Sequence, residues 1–430
     1  MRRVRRSMLA LASLCLATLP ASSLKGQELR GHGGPVRAIA VFADGKSIVT
    51  GSFDERVIRW NAATGTAKAV LRGHRGSVNA VAVLDGDRIA SAGQDGRILL
   101  WGKDSAQLAS FEGHSAPVSC LAVSPDGRTI ASASWDQTVR VWPLDGGEPR
   151  ILKGHSGNVN AVAFEPDGRV VSAGYDGTIR IWPADGPPQI LSFAAPFTAL
   201  AIAPDGEIAA ASVDGKIRFF AKNGAAAGEL ESGGKPVIAL SMTKDGARLA
   251  AGTIDGRIML IERRQKRVIA EVTGAGSPLW SLAFLPDGSQ LLSGSGDRVV
   301  RRWDGLTGAA LSKEFALAHD DIPPELRNER GAQVFKACTA CHTVTENGGP
   351  RAGPPLHGLF GRHIASAPGY DYSPALKKLD IIWTPETVSK LFEIGPSAYT
   401  PGTKMPEQTV SAADRQALVA FLIKATKSAP

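Results

Sequence analysis

Through most of the chain, apolar and polar residues alternate in short runs, as in Val78-Asn79-Ala80-Val81-Ala82-Val83 and Thr138-Val139-Arg140-Val141-Trp142. A period of two sends successive side chains to opposite faces, which predicts strands with one buried side. Asp-Gly pairs punctuate the runs, ending at Gly45, Gly86, Gly127, Gly168, Gly206, Gly246 and Gly288, with spacings of 38 to 42 residues. Glycine supplies the positive φ that a tight hairpin turn requires. A second turn carries Asp54, Asp95, Asp136, Asp176, Asp214, Asp255 and Asp297, at the same period. Seven copies of one supersecondary unit therefore follow one another, and such units bury their apolar faces by stacking on their neighbours.

Four units also carry Gly-His, at His32, His74, His114 and His155, and end on Trp60, Trp101, Trp142 and Trp182. This pattern resembles the WD-repeat family, which implies an all-β, seven-bladed propeller of four-stranded blades over residues 27–318. In that family the imidazole, a Ser or Thr of the second strand, the turn Asp and the Trp share a hydrogen-bonded network. The resemblance makes His74, Asp95 and Trp101 such a set. The last three units depart from it: their Gly-His positions read Ser192-Phe193, Ser232-Gly233 and Thr273-Gly274, and Phe219 and Leu260 replace Trp before it returns at Trp303. These blades are expected to form from strands and turns with fewer polar clasps. Residues Gln27–Arg30 and Thr307–Phe315 compete for the outer strand of the last blade. The residue before each second-turn Asp faces the top entrance in this family. Phe53, Trp135 and Tyr175 stand there, as anchors for a protein partner or as lining of the channel mouth.

The repeat breaks at Asp320-Asp321-Ile322-Pro323-Pro324, giving a linker over 319–325 and a second unit over 326–430. Apolar residues recur at helical spacing in Glu325–Ala337 and Ser411–Lys424, with Ser411 placed to cap the latter. Between them Cys338-Thr339-Ala340-Cys341-His342 is an attachment signature for c-type haem, with zinc or a disulfide as the alternative use of the thiols. Met405, in a Pro/Gly loop 63 residues beyond His342, decides for haem, because a thioether suits haem iron and serves zinc poorly.

The second unit resembles the mitochondrial and bacterial type of class I monohaem cytochrome c. That resemblance is carried by the attachment motif, Gly353-Pro354-Pro355-Leu356-His357-Gly358-Leu359-Phe360-Gly361-Arg362, Pro368-Gly369-Tyr370-Asp371-Tyr372, Trp383 and the Met405 loop. It implies an all-α cytochrome c domain with one covalent haem c, attached at Cys338 and Cys341 and with His342 and Met405 as the iron ligands. It further implies that the Pro354 carbonyl orients His342, that Tyr372 and Trp383 reach a haem propionate, and that Gly331, Phe335, Leu418 and Phe421 form a helix crossing. His357 is a loop residue in such proteins. Phe392 stands where the family often has tyrosine, and Ser397 and Ala398 replace lysines at the haem-edge approach.

Composition excludes several classes. With 430 residues, 43% hydrophobic, 21% charged, 48 Gly and 27 Pro, the chain is globular and turn-rich, not collagenous, coiled-coil or helical-membrane. The formal charge of +8 lies mostly in residues 1–26, which hold five Lys/Arg and no acid. The remainder has no basic stripe for phosphates, so nucleic acid is not expected as a partner. Residues 1–26, a basic start followed by the apolar stretch Met8–Leu19 and small residues, read as a secretory signal peptide, too short to span a membrane. Removal would leave no stable span and a periplasmic protein. Thiols that must be presented reduced to the attachment machinery favour export of the unfolded chain. The expected function is single-electron transfer to or from protein partners chosen by the propeller, an electron carrier rather than an enzyme. Two alternatives are a propeller dehydrogenase using the cytochrome as acceptor, and a haem sensor or peroxidase. The histidines argue against the first, since four belong to the Gly-His set, one is the haem ligand, and none is left for the propeller interior.

Overall fold

A computed structural model describes residues 28–273, 277–311, 322–335, 338–339, 341–345, 353–368, 370, 372–403, 405 and 410–426. The expected signal peptide, and the part of the linker up to residue 321, lie outside these. Among the described residues no helix is long and apolar enough to cross a membrane.

Seven four-stranded antiparallel sheets form the propeller, six of them built from strands consecutive in sequence. In the first blade the strands are Val36–Val41, Ser47–Ser52, Arg56–Asn61 and Ala67–Arg72. Second strands such as Ser47–Ser52 and Ile208–Ser212 are buried along their whole length, because neighbouring blades pack on both faces. Small residues permit that close approach, as in Ile208-Ala209-Ala210-Ala211-Ser212. Outer strands such as Gln189–Ser192 stay largely exposed. Every innermost strand shifts register near its start, for instance between Val36 and Ala38 and between Val78 and Ala80. Such irregularities bend and twist a strand locally.

Both candidate closing segments contribute to the last blade. Leu29 and Arg30 pair with Val300 and Val299, while Ala310 bridges to Trp303 at the other end of the same strand. These pairings repeat those of Leu71, Arg72 and Ala67 with Val57, Arg56 and Trp60 in the first blade. The ring is therefore shut by an outer strand assembled from two pieces of chain.

The polar clasps are formed. In the second blade Trp101 Nε1 donates to Ser91 Oγ at 2.8 Å, Ser91 Oγ lies 2.8 Å from His74 Nε2, and His74 Nδ1 lies 3.1 Å from Asp95. Blades one, three and four repeat this through Thr50, Ser132 and Ser172. Where the imidazole is missing, the expectation of fewer polar clasps needs amending. Arg218 donates to Asp214 at 2.6 Å and Arg301 pairs with Asp297 at 2.6 Å, so a cation from the third strand holds the turn carboxylate.

The second unit contains α1 (Arg330–Phe335), α2 (Pro385–Ile394), α3 (Pro396–Tyr399) and α4 (Ala412–Ala425). The expected first helix begins at Arg330, not Glu325, because Pro324–Leu326 forms a separate single turn. Ser411 caps α4 by accepting from Asp414 N at 3.1 Å. Helix α2 carries a capping box in which Thr384 and Thr387 satisfy each other's backbone N–H groups. Helices α1 and α4 cross with the Phe335 and Phe421 rings 5.2 Å apart. A Cβ on Gly331 would fall 2.0 Å from the Ala417 carbonyl oxygen, so only glycine lets the two backbones approach this closely.

Candidate functional site

All seven residues expected at the haem, Cys338, Cys341, His342, Pro354, Tyr372, Trp383 and Met405, line one cavity of about 600 Å³. After α1 the chain turns tightly, with Cys341 N donating to Cys338 O at 3.0 Å and His342 N to the same oxygen at 2.9 Å. The following loop lies against that turn through Gly353 N to Cys341 O and Leu356 N to Thr343 O, both 2.8 Å. This brings Pro354 O within 2.8 Å of His342 Nδ1. A carbonyl only accepts, so Nδ1 carries the proton and the lone pair belongs to Nε2, the tautomer a metal-ligating imidazole needs.

The loop is braced by Arg362, which sequence reading quoted without a role. Its guanidinium donates to His357 O at 2.9 Å and to Pro355 O at 2.7 Å. Those bonds hold the residues on either side of Leu356 and keep Pro354 in place. Arg362 N–H and C=O surroundings continue the brace, since Trp383 N donates to Arg362 O at 2.9 Å. Burial raises the Tyr372 hydroxyl above its ordinary range, so it keeps its proton and remains a donor. Elsewhere on the cavity, Ser373 Oγ donates to Gly402 O at 3.0 Å and Met405 N donates to Thr403 Oγ1 at 3.2 Å, fixing the start of the methionine loop. Its neighbours Lys404 and Pro406 lie outside the described residues. Phe392 lines the same cavity, presenting an apolar ring with no hydroxyl.

Leu356, Leu359, Leu391 and Leu418 give the cavity apolar walls, while Tyr372, Trp383 and Arg362 place polar groups on it. Its volume falls within the ~300–1,000 Å³ usual for cofactor sites. A flat apolar macrocycle with acidic substituents and two vinyl attachment points fits this donor set. Neither Cys338 nor Cys341 is held in a disulfide. Among the described residues no three His, Cys, Asp or Glu side chains cluster as a metal site.

The three aromatic candidates for partner contact separate. Trp135 and Tyr175 are 45% and 58% exposed. Phe53 is 41% exposed as well, and differs in that it also packs on Trp280 at 6.2 Å and lines the cavity wall. That wall also contains Arg56, Arg72 and Arg298 of the propeller, which sequence reading missed. No pattern in the chain announces them, because they meet the cavity only through the contact of two separately folded units.

Fold and cavity together define a β-propeller joined to a c-type cytochrome domain. Family comparison agrees: the WD domain, G-beta repeat model matches residues 24–61, 65–102, 105–143, 146–183 and 266–304, a VID27 C-terminal WD40-like domain model matches 190–276, and the Cytochrome c model matches 328–426. Cytochrome c of Gibberella zeae is 44% identical over 101 residues, which are 23% of this chain and 94% of that protein. Cytochrome c of Kluyveromyces lactis is 42% identical over 101 residues, 23% of this chain and 91% of that protein. Cytochrome c of Arabidopsis thaliana is 42% identical over 109 residues, 25% of this chain and 96% of that protein. The chain belongs to the cytochrome c family through its C-terminal unit, fused to a WD-repeat propeller.

Proposed function

We propose that this protein is an exported, periplasmic carrier of single electrons, with one haem c attached at Cys338 and Cys341 and ligated by His342 and Met405. When bound through Cys338, Cys341, His342 and Met405, haem would supply a one-electron couple, with the methionine thioether raising its potential and no ligand position left for substrate. The observation that carries this reading is the His342 Nδ1 bond to Pro354 O within a cavity that Met405 also lines. The residues of the chain orient the imidazole, seat the thioether loop and exclude water with leucines and Phe392.

Burial pushes the Cys338 thiol up to about 12. A neutral thiol adds poorly to an alkene, since the thiolate is the nucleophile. Attachment is therefore better suited to a chain not yet closed around the cavity, which supports export in the unfolded state. The propeller, a repeat architecture used for protein contact, would choose the redox partner.

The ligand assignment is tested by near-infrared absorption of the oxidised holoprotein and by redox titration. A sulfur-to-iron band that disappears in Met405→Ala, together with a lower midpoint potential, is the expected result. An unchanged potential in that variant would remove Met405 from the iron. Export is tested by cell fractionation of the full chain beside one lacking residues 2–26.

A further inference from the structure

One wall of the haem cavity belongs to the propeller, where Gly33, Phe53, Arg56, Arg72 and Arg298 line it. The approach is close: a Cβ on Gly33 would lie 2.7 Å from the Cys341 sulfur. The Arg72 guanidinium sits 4.3 Å from the centre of the Tyr370 ring, and Tyr370 stands edge-on to Tyr372 at 4.7 Å. Tyr372 is one of the groups expected at a haem propionate, so Arg72 stands one ring away from that position.

Among the described residues, cations outnumber carboxylates on this wall. Asp54 is the single carboxylate among the described lining residues, and it is engaged by His32 Nδ1 at 3.0 Å and by Gly33 N at 2.7 Å. Arg56 is only 7% exposed, and its Nε has no hydrogen-bond partner among the described residues. A buried guanidinium donor without an acceptor is costly, so its place on the cavity wall calls for an anion. Arg298 holds a φ of +74° in the second turn, at the position filled by glycine in four other blades and by Glu55 and Gln137 in the remaining two.

We propose that Arg56, Arg72 and Arg298 are counter-charges for the carboxylates of the haem held by the C-terminal unit, so that the propeller completes the haem site. This rests on the haem reading above and adds to it a second role for the propeller, beyond partner docking. Haem carries two propionate groups, anions of the kind guanidinium groups pair with. Guanidinium groups pair with carboxylates in bidentate fashion and shed their hydration more readily than lysine. Positive charge beside the iron also disfavours its oxidised form and raises the potential. The cytochrome unit is thereby fastened to the propeller through its own cofactor.

The test uses the full haem-loaded chain and the variant Arg72→Gln with Arg298→Gly. The glycine suits the left-handed turn, and Arg72 is only half-buried, so the fold is kept. Expected are an unchanged haem spectrum, a lower midpoint potential, and a few-fold faster deuterium uptake in residues 31–35 and 52–56. Arg128→Gln, on the turn following the third blade's first strand, serves as a charge control and is expected to change none of these. Unaltered potential and uptake in the haem-loaded double variant would overturn the counter-charge proposal while leaving the haem reading intact. A parent protein without a haem spectrum would overturn both. Arg56→Gln is a second variant on the same wall, expected to lower the potential in the same direction.

Discussion

Gly353 lies so close to His342 that a Cβ built on it would fall 2.5 Å from Cε1 of the ring and 2.8 Å from Nδ1. The glycine is thus what allows the loop to pass over the imidazole and deliver the Pro354 carbonyl to it. Gly353→Ala is expected to push the ring aside and lengthen the Nδ1 bond, while the two cysteines still attach haem. Loss of such an orienting partner typically costs ~10–100-fold in metal affinity or activity. Absorption and paramagnetic resonance of the oxidised variant check this, since a displaced imidazole shifts the iron away from the low-spin state. A variant with an unaltered low-spin spectrum would contradict it.

Gly331→Ala addresses the helix crossing. The added carbon would meet the Ala417 carbonyl oxygen at 2.0 Å and Phe421 Cβ at 2.5 Å, and neither is the end of a flexible side chain. Overpacking of this kind costs about 1–3 kcal/mol, occasionally more, and backbone on one side places this site at the upper end. The expected outcome is a lower melting midpoint by haem circular dichroism, with the propeller transition by tryptophan fluorescence unmoved. The ion pairs Arg330–Asp414 and Lys424–Glu329 link the same helices, but they are exposed and contribute little.

How much of this was legible in the sequence depends on whether the signal is local. The seven turn aspartates, the four Gly-His dipeptides and Cys338 to His342 report their own positions, and each falls where its spacing puts it. Helix α2 was equally legible, since Thr384-Pro385 followed by Thr387 is a readable start and Val388, Leu391 and Phe392 recur at helical spacing. The arginine clasps of the later blades were missed, because Arg218 and Asp214 are close only once a hairpin turns between them. Ring closure was undecided because each candidate segment supplies half of the missing strand. Least legible was the propeller wall of the cavity, where Arg72 meets Tyr370 across nearly the whole chain.

Acid is expected to loosen the propeller in two steps. In the third blade Trp142 Nε1 donates to Ser132 Oγ, whose hydroxyl donates to His114 Nε2, and His114 Nδ1 donates to Asp136 at 2.7 Å. This relay requires a neutral imidazole. Burial pushes His114 and His155 below the ordinary value of 6.5, against the opposing pull of their aspartates. Each therefore takes up its proton more readily in the unfolded chain, so the stability it contributes is full above about pH 6.5 and is lost as pH falls through the folded value. A second loss comes lower. Burial raises the Asp214 carboxyl, but bonds from Arg218 and Ser212 outweigh it and hold the group at about 2. Its contribution is present above 3.8 and disappears as pH approaches 2. Urea midpoints by tryptophan fluorescence from pH 8 to 2 check both steps, and His114→Gln with His155→Gln is expected to flatten the first.

Trp135 and Tyr175 present a different kind of test, because both are exposed and neither is needed by the fold. Their positions correspond to Phe53, which also lines the cytochrome unit's cavity, whereas Trp135 and Tyr175 do not. Large rigid aromatics on an exposed rim are the residues that dominate protein interfaces, where truncation commonly costs ~2 kcal/mol or more of binding. At an exposed position without other partners the same truncation changes stability by only about 0.5 kcal/mol. Trp135→Ala with Tyr175→Ala is therefore expected to weaken association with the redox partner by roughly tenfold or more per residue, while melting temperature, haem spectrum and midpoint potential stay as in the parent. Cross-linking of neighbours in the native compartment identifies the partner, and titration of that partner against parent and variant gives the comparison. Equal affinities for the two would assign these aromatics to the rim of the channel and move the docking surface to another face of the ring.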